Sequence, residues 1–298
     1  MKKPLAFDAT PGIDLHIHST ASDGTLTPPE ILALAVEHGL KAIAITDHDS
    51  LSGSLAAVES GIPSVLKFMT GIEISAAAPD GYNLKGSVHI LGYGIDCRHA
   101  ALNDLLGKLK TAREERNPKI IARLNRLGMN LNMDDLVPIV GDAVAGRPHI
   151  AQLLVKKGMA ASIDDAFGRF LGKNKPAYVN KYRIPMAAAI DAINQAGGVA
   201  VLAHPLLNGP GEPEAFESFL LTLKSMGLKG LEAYYPEHSS SITAEYCRLA
   251  NKHHLLITGG TDFHGAVTPR IQIGIGGGSL HVPYSVYETL ESHLDGRS

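Results

Sequence analysis

Three short motifs rich in histidine and aspartate each stand at the end of an apolar run, and this arrangement constrains the fold most. The motifs are Asp14-Leu15-His16-Ile17-His18, Thr46-Asp47-His48-Asp49 and Thr261-Asp262-Phe263-His264. The runs 12–18, 41–47 and 255–260 have the length and composition of strands. Side chains two apart on a strand point to the same face, so His16 is predicted to project with His18, and Asp262 with His264. Because enzymes built from parallel strands carry their chemistry at the carboxyl ends, the motifs indicate one shared site in an α/β fold.

Strand and helix patterns alternate over most of the chain. The predicted strands are 12–18, 41–47, 65–74, 87–94, 198–204, 230–235 and 255–260. Helical patterns cover 28–38, 52–60, 185–196, 214–226, 240–253 and 283–294. Because helical crossovers join parallel strands, this order favours a parallel sheet or barrel. Seven strands fall one unit short of a complete eight-stranded barrel, so we expect a distorted (β/α)7 barrel.

A more charged stretch, 99–182, interrupts this alternation with helical patterns alone. Pro118 stands inside its longest apolar-periodic pattern and is expected to kink or divide that helix. The chain is therefore predicted to form a barrel from 1–98 and 183–298, with 99–182 inserted as a helical subdomain that caps the barrel mouth.

The overall charge and composition exclude several classes of function. The net charge of −3 and the pI near 6.5 argue against tight binding to long DNA or RNA. The absence of tryptophan and the 5% aromatic content argue against base-stacking platforms for single strands. Two distant cysteines, Cys97 and Cys247, indicate no disulfide framework and favour a reducing cytoplasm. We expect neither a signal peptide nor a membrane-spanning segment.

Additional histidines and carboxylates stand at the ends of other predicted strands. Together with those of the three motifs they give nine candidate metal ligands: His16, His18, Asp23, His48, Glu73, His89, His204, Asp262 and His264. Imidazole and carboxylate groups suit Zn, Mn and Fe. Nine ligands suit two or three ions if one carboxylate bridges, and clustered divalent ions are typical of phosphoryl transfer enzymes.

Each candidate ligand also has a purely structural interpretation. Histidines such as His89 and His204 can be satisfied by hydrogen bonds within a core, and an aspartate in Ser22-Asp23-Gly24 also suits a simple turn. The regular strand-end positions, and the cost of burying unpaired charge, favour the metal-ligand interpretation. Asp47 and Asp49 are expected to orient ligands or to form turns rather than to bind a metal.

Candidate substrate contacts lie in the helical stretch. Gly146-Arg147-Pro148-His149 opens a predicted helix, and a helix N-terminus together with a guanidinium suits a phosphate. Lys175 and Tyr178 are further candidates. Arg116 is another, from a group of basic residues that otherwise suits a solvated helix face: Arg113, Arg123, Arg126, Lys156 and Lys157.

The motifs resemble those of the polymerase-and-histidinol-phosphatase (PHP) family over 12–98 and 183–265. The resemblance rests on the HxH, SDG and TDHD motifs, the strand-end Glu73, and the later HP and DFH motifs. Two segments of the helical stretch are similar to a subfamily of 3′,5′-nucleotide bisphosphate phosphatases and 5′-to-3′ exoribonucleases. They are Arg147-Pro148-His149 and Lys175-Pro176-Ala177-Tyr178-Val179.

This resemblance implies three divalent metals on a (β/α)7 barrel. By analogy the first metal is held by His16, His18, Glu73 and Asp262. The second shares Glu73 and is held also by His89 and His204. The third is held by Asp23, His48 and His264. A hydroxide that bridges the two Glu73-linked metals would attack phosphorus, and the residues predicted to act in catalysis are Glu73, Asp262 and His264.

We therefore expect a cytoplasmic metal-dependent phosphoesterase that acts on a small nucleotide with two phosphates or on the 5′ end of a short RNA. Two enzyme alternatives are a histidinol phosphate phosphatase, which the insertion and Arg147 disfavour, and a polymerase-type proofreading exonuclease, which the lack of a polymerase region disfavours. The alternative from another class is a non-catalytic metal-binding or regulatory module, and the complete ligand set argues against it. The sequence leaves open whether the metals are Mn, Fe or Zn. It also leaves the oligomeric state open.

Overall fold

One sheet of eight strands organises the protein, as seen in a computed structural model that describes residues 12–82, 84, 88–140 and 145–296. The first elements are β1 (Asp14–Ile17), α1 (Pro28–Glu37), β2 (Ala42–Ile45), α2 (Ser52–Ser60), β3 (Lys67–Ala77) and β4 (Val88–Tyr93). A helical segment follows, with α3 (Ala100–Arg126), α4 (Val137–Val140), α5 (Arg147–Lys156), α6 (Ile163–Ala166) and a π-helical turn, Phe167–Leu171. The remaining elements are β5 (Ile184–Pro185), α7 (Met186–Gln195), β6 (Val199–Leu202), α8 (Pro205–Asn208), α9 (Pro213–Ser225), β7 (Gly230–Tyr234), α10 (Ser240–Lys252), β8 (Leu256–Gly259) and α11 (Tyr284–Asp295).

The sheet has the strand order β1-β2-β3-β4-β6-β7-β8, with the two-residue β5 beside β3. It curls until its outer strands meet, where Ile17 and Phe263 form a parallel bridge. The predicted α/β fold with a distorted barrel is therefore confirmed. The expectation of an all-parallel sheet is wrong at β4, which runs antiparallel to both β3 and β6. The connection 78–87 between β3 and β4 is too short for a helical crossover, so the chain reverses instead.

The reversed direction of β4 has a consequence for the site. The first residues of β4 lie at the edge of the sheet where the parallel strands have their carboxyl ends. His89, the second residue of β4, faces this edge and lies opposite Ser75 of β3. An antiparallel strand thus contributes to the shared edge from its start rather than from its end.

Alternation along the strands divides the core into an inner and an outer layer. On β2, Ala42 and Ala44 belong to the inner layer, whereas Ile43 and Ile45 pack outwards under α1 and α2. The same inner layer is completed by Leu91, Tyr93, Val199, Val201 and, from α11, Val286, Tyr287 and Leu290. These residues fill the end of the barrel opposite the histidine motifs, so the barrel is a packed core with one functional edge.

The long helix α3 connects the sheet to the helical segment. Its first half packs Leu102, Leu106 and Leu109 against the sheet core, and its second half joins a separate core through 120–124. Of the two outcomes predicted at Pro118, division of the helix is wrong, because α3 continues through it, and a kink stays a prediction. Proline in a helix interior costs about 3 kcal/mol, and burial on both sides of it offsets this cost. The proposed domain division at 99 and 182 stays a prediction.

The described helices include none that is long and apolar enough to cross a membrane.

Candidate metal centre

Strand ends bring the nine predicted ligands to one edge of the barrel. His16 and His18 come from β1 and the residue after it, Glu73 from β3 and His89 from β4. The other five follow strands or lie in loops at the same edge: Asp23, His48, His204, Asp262 and His264. Gly24 is required for the Asp23 turn, because a Cβ on Gly24 would lie 2.2 Å from the His18 carbonyl oxygen.

Glu73 lies at the centre of this cluster. Its Oε1 is 2.7 Å from His89 Nδ1 and 2.9 Å from His204 Nε2. Its Oε2 is 2.9 Å from His48 Nδ1, 3.2 Å from His18 Nε2 and 3.5 Å from His16 Nε2. One carboxylate therefore contacts five imidazoles, as a bridging ligand would.

Among the described residues, three groups of donor atoms lie close enough together to hold an ion, with all atoms of a group within 4.8 Å of one another. The groups are His16, His18, Glu73 and Asp262; then His48, Glu73 and His89; and then His18, Asp23, His48 and His264. The first coincides with the predicted first metal set, and the last contains the predicted third set. The second group shares Glu73 and His89 with the predicted second set. His204, the remaining member of that predicted set, lies close by, with its Nε2 3.2 Å from His89 Nδ1.

Buried polar atoms without hydrogen-bond partners show that the donor set fits metal ions. Such atoms are His16 Nε2, His18 Nε2, Asp23 Oδ1, His48 Nδ1 and Glu73 Oε2. Buried polar groups are normally hydrogen-bonded, and leaving one without a partner is costly. Five of them converging at one place, all imidazole nitrogens or carboxylate oxygens, match what divalent ions would satisfy.

The electrostatics of the cluster favour positive charge. Burial alone raises the pKa of Glu73, but His48, His89 and His16 hold that pKa well below its usual range. Burial alone lowers the pKa of His18, but Asp262 and Glu73 outweigh it and raise the pKa to about 10. The ionised carboxylates that hold a proton on this histidine would equally attract a divalent cation, which must displace such protons to bind.

Further carboxylates hold the motifs in place, and two of them were missed from the sequence. Asp47, predicted to orient ligands, accepts hydrogen bonds from the Ser19 amide and from both the Ser19 and Ser22 hydroxyls. Asp14, which was missed, accepts from Thr261 and thereby ties the first motif to the third. Burial raises the pKa of Asp14 to about 6, although these hydrogen bonds lower it.

Glu232, also missed, contacts His16 Nδ1 at 2.9 Å. The available signal was a lone carboxylate inside the apolar run 230–235. Another contact missed from the sequence comes from Tyr235, whose hydroxyl donates to Asp262 Oδ2 at 2.9 Å.

Backbone strain is concentrated at this edge. Five described non-glycine residues have a positive φ, and three of them belong to the site: Asp49 at 53°, His204 at 26° and Asp262 at 55°. Such conformations are sparsely populated for residues with a Cβ and persist where the surroundings hold them. The surrounding structure therefore holds these three residues in strained backbone conformations that orient their side chains at the site.

A basic cluster borders the metal centre. Arg113, Arg116, Arg147 and Lys181 line a cavity together with His48 and His89. Arg113 donates to Asp49, and Lys181 lies 3.4 Å from the same carboxylate and donates to Ser75. The expectation that Arg113 lies on a solvated helix face is wrong, since its side chain is only 12% exposed. Arg116, predicted as a substrate contact, is buried beside it and only 5% exposed. The contribution of Lys181 was missed from the sequence.

The charges of this cluster affect one another. Burial alone raises the pKa of Asp49, but Lys181 and Arg113 lower it to about 2. Burial lowers the pKa of Lys181 to about 8, and burial together with Arg147 lowers the pKa of Arg116 to about 10. The cations are thus partly desolvated and close together. A bound anion would offset both the free-energy cost of their desolvation and their mutual repulsion.

The other predicted substrate contacts are placed differently. Arg147 opens α5, and its guanidinium carbon lies 5.7 Å from the Phe167 ring centroid and 5.4 Å from that of Tyr178. His149 is buried and accepts a hydrogen bond from the Gly146 amide through Nδ1, so its remaining proton is on Nε2. Lys175 is exposed on a turn and lines none of the cavities formed by the described residues near the histidines.

A larger cleft continues from the metal centre on another side. Its volume is about 640 Å³, and it passes His48 and Asp49 to reach Lys110, Arg113 and His149. The histidine cluster is therefore reached from solvent-accessible space that is large enough for a nucleotide-sized ligand.

Comparison with known proteins agrees with this geometry. The family model described as the PHP domain matches residues 14–165, which is more than half of the chain. The chain belongs to the PHP family. It is 34% identical over 257 residues to a 5′-3′ exoribonuclease of Haemophilus influenzae, covering 84% of this chain and 89% of the relative. It is 32% identical over 257 residues to a 3′,5′-nucleoside bisphosphate phosphatase of Chromobacterium violaceum, covering 85% and 87%.

A solved structure supports the same placement among PHP proteins. The crystal structure of a proposed metal-dependent phosphoesterase from Bifidobacterium adolescentis superposes with a TM-score of 0.83 at 29% identity, covering 95% of this chain and 96% of the other. The predicted family resemblance, fold class and enzymatic class are therefore confirmed. This PHP protein is a metal-dependent phosphoesterase, with histidine and carboxylate clusters that can bind metals.

Proposed function

We propose that this PHP protein hydrolyses phosphate esters in nucleotides that carry two phosphates, either a 3′,5′-nucleoside bisphosphate or the 5′ end of a short RNA. The observation that carries the proposal is the basic cluster beside the metal centre. The reacting phosphate would be held at the metals, so the basic cluster is available for a second phosphate. The named activities of the two relatives, a bisphosphate phosphatase and an exoribonuclease, support this substrate class.

The basic cluster carries more positive than negative charge. Arg113 and Lys181 share the single carboxylate of Asp49. Among the described residues no ion pair joins Arg116 or Arg147 to a carboxylate, and Arg116 Nε is buried without a hydrogen-bond partner. Buried cations without counter-charges are costly. A phosphate dianion would supply the missing charge, and arginine forks suit its geometry.

We assign the metal ligands as the family resemblance implies, with three divalent ions of Mn, Fe or Zn. Glu73 would bridge the first two, the first held also by His16, His18 and Asp262, the second also by His89 and His204. The third would be held by Asp23, His48 and His264. When bound, such ions activate water near neutral pH and neutralise charge on the phosphoryl group. The role of the chain is to hold these donors, with Tyr235 fixing Asp262 and Asp47 fixing the Ser19–Ser22 turn.

The substrate class is tested by comparing kcat/KM for four compounds at one fixed metal concentration. They are a nucleoside 3′,5′-bisphosphate, a nucleoside 5′-monophosphate, histidinol phosphate and a 5′-phosphorylated short oligoribonucleotide. We expect the two substrates with more than one phosphate to exceed the other two by more than about tenfold, the size of one modest electrostatic contact. Equal or better hydrolysis of histidinol phosphate would contradict the proposal and favour the alternative phosphatase, and inactivity on all four would favour the regulatory module.

Metal content is the second expected result. Protein prepared without chelators and analysed by elemental mass spectrometry should contain more than one equivalent of divalent metal, and about three at full occupancy, since clustered sites serve phosphoryl transfer. Replacing His264 by alanine should lower this number by about one, whereas replacing the distant, exposed His254 should leave it unchanged. One equivalent or less in the wild type, even after loading, would contradict the assignment of three sites.

Other properties stay predictions. The cytoplasmic location is proposed from the sequence, whose two cysteines, Cys97 and Cys247, stand far apart and suggest no disulfide framework. We expect no binding to long DNA and no membrane association.

A further inference from the structure

Glu232 is a fully buried carboxylate on β7, behind the proposed metal ligands. The strand β7 supplies none of the nine ligands, although it lies between β6 and β8, whose ends lead to His204 and Asp262. A carboxylate in such a position is costly to bury unless hydrogen-bond donors meet both oxygens. Its surroundings therefore indicate what it does.

Among the described residues, each oxygen of Glu232 contacts one nitrogen, and the two nitrogens belong to residues of different proposed metal sites. Oε1 lies 2.9 Å from Nδ1 of His16, and Oε2 lies 2.6 Å from the backbone nitrogen of His204. His16 belongs to the first site and His204 to the second. The Glu232 side chain thus contacts one proposed ligand of the first metal site and one of the second.

The contact with His16 determines which ring nitrogen is free. His16 Nε2 lies 3.4 Å from Asp262 Oδ1 and 3.5 Å from Glu73 Oε2, and it is buried without a hydrogen-bond partner. An imidazole nitrogen binds a metal only when it carries no proton. The ring proton must then lie on Nδ1, where Glu232 accepts it in a hydrogen bond.

The contact with His204 holds a strained backbone. His204 has φ 26° and ψ 61°, outside the regions that residues with a Cβ populate readily. Its N–H donates to Glu232 Oε2, while its ring reaches Glu73 Oε1 at 2.9 Å. The same carboxylate therefore stabilises the backbone conformation that aims this ring at the bridging glutamate.

We propose that Glu232 is a positioning residue that prepares two metal sites at once, by fixing the His16 tautomer and by holding the His204 backbone. This inference rests on the metal-ligand roles proposed above. It predicts that a substitution at a side chain outside the ligand set weakens metal binding. Surface charge does not enter, because Glu232 is 0% exposed.

Glu232→Gln is the sharpest test, because it keeps the side-chain shape and leaves only one acceptor. If the amide oxygen accepts from the His204 N–H, the amide NH2 group faces His16 Nδ1 and favours a proton on Nε2, where the metal should bind. We expect the affinity for Zn²⁺ alone, measured by competition with a chromophoric chelator, to fall about 10- to 100-fold. The matched control is Thr258→Val, an equally buried substitution on β8 in register with Glu232. It removes a hydroxyl that has no hydrogen-bond partner among the described residues, so it should alter the affinity by less than about twofold.

A measurement on the Zn²⁺-loaded wild type can still contradict the inference if Glu232→Gln does not fold. Long-range proton–nitrogen NMR spectra, with the His16 signals assigned through His16→Ala, should place the ring proton on Nδ1. A proton on His16 Nε2, or a folded Glu232→Gln variant with wild-type Zn²⁺ affinity, would overturn the inference. Failure of the wild type to bind Zn²⁺ would overturn the proposed metal centre itself, so the two failures are distinguishable.

Discussion

Glu73→Gln is expected to reduce turnover by at least about 10³-fold, because clustered-metal catalysis depends on ligands that bring the ions together. Both oxygens of Glu73 contact imidazole nitrogens from several strands, at 2.7 Å for His89 and 2.9 Å for His48. A glutamine has one oxygen, and its NH2 group would face nitrogens that have to bind metal. The loss should appear in kcat for a nucleoside bisphosphate, together with a fall in metal content of one equivalent or more.

The fold should survive this substitution, so that the loss of turnover can be distinguished from an effect of unfolding. Glu73 is held in β3 by its backbone, which pairs with Leu91 of β4, and the side chain is not part of the apolar core. Circular dichroism should therefore match the wild type, and Glu59→Gln on the exposed face of α2 should have full activity. Near-normal turnover of Glu73→Gln with unchanged metal content would show that Glu73 does not bridge two metals.

The position of the histidine cluster could be predicted because it follows from local rules. Each motif comes directly after an apolar run, and the carboxyl ends of parallel strands meet at one edge. The structure accordingly brings together side chains as distant in sequence as those of His16 and Asp262, whose Nε2 and Oδ1 atoms lie 3.4 Å apart. The sequence pattern and spacing were sufficient to predict the position of this cluster, because the fold places the ends of the motif-bearing strands side by side.

The direction of β4 and the path of α3 could not be obtained from the same rules. Whether a strand runs parallel to its neighbour depends on whether the connection before it crosses the sheet or turns back. The apolar pattern of 87–94 is the same for either direction. Pro118 was weighed by its local cost alone, whereas the helix is held by packing on two separate cores. In both cases tertiary contacts decided what local preference had left open.

The supporting residues were missed for a related reason. Asp14 and Glu232 act through partners more than 200 positions away in sequence. Among the described residues, Arg113 and Lys181 are joined through Asp49, which comes from a third part of the chain. A basic residue on a helix has the same local pattern whether it faces solvent or a phosphate site, so only the folded arrangement distinguishes the two.

Arg147→Ala should selectively impair substrates that carry a second phosphate. Arg147 lines the cavity shared with His48 and His89, and no carboxylate among the described residues forms an ion pair with it. Burial lowers the pKa of its guanidinium, so a phosphate bound there would be partly desolvated as well. Losing such a contact should cost about 2–5 kcal/mol, or roughly 30- to several thousand-fold in kcat/KM for a nucleoside bisphosphate. For an aryl phosphate, which offers only the reacting group, the loss should be less than about fivefold.

Two further variants separate phosphate recognition from packing. Arg147 also donates to the Leu171 carbonyl and lies between the Phe167 and Tyr178 rings, so alanine removes structural contacts too. Arg169→Ala is the matched control, because Arg169 lies over the Phe170 ring in the same helical segment but is exposed and paired with Asp165. Arg147→Lys should recover part of the activity through charge while lacking the bidentate fork. A contact with the second phosphate makes the loss of kcat/KM depend on whether the substrate carries that phosphate. Equal losses of kcat/KM on both substrates, or an equal loss in Arg169→Ala, would therefore mean that Arg147 supports the fold or contacts the reacting phosphate.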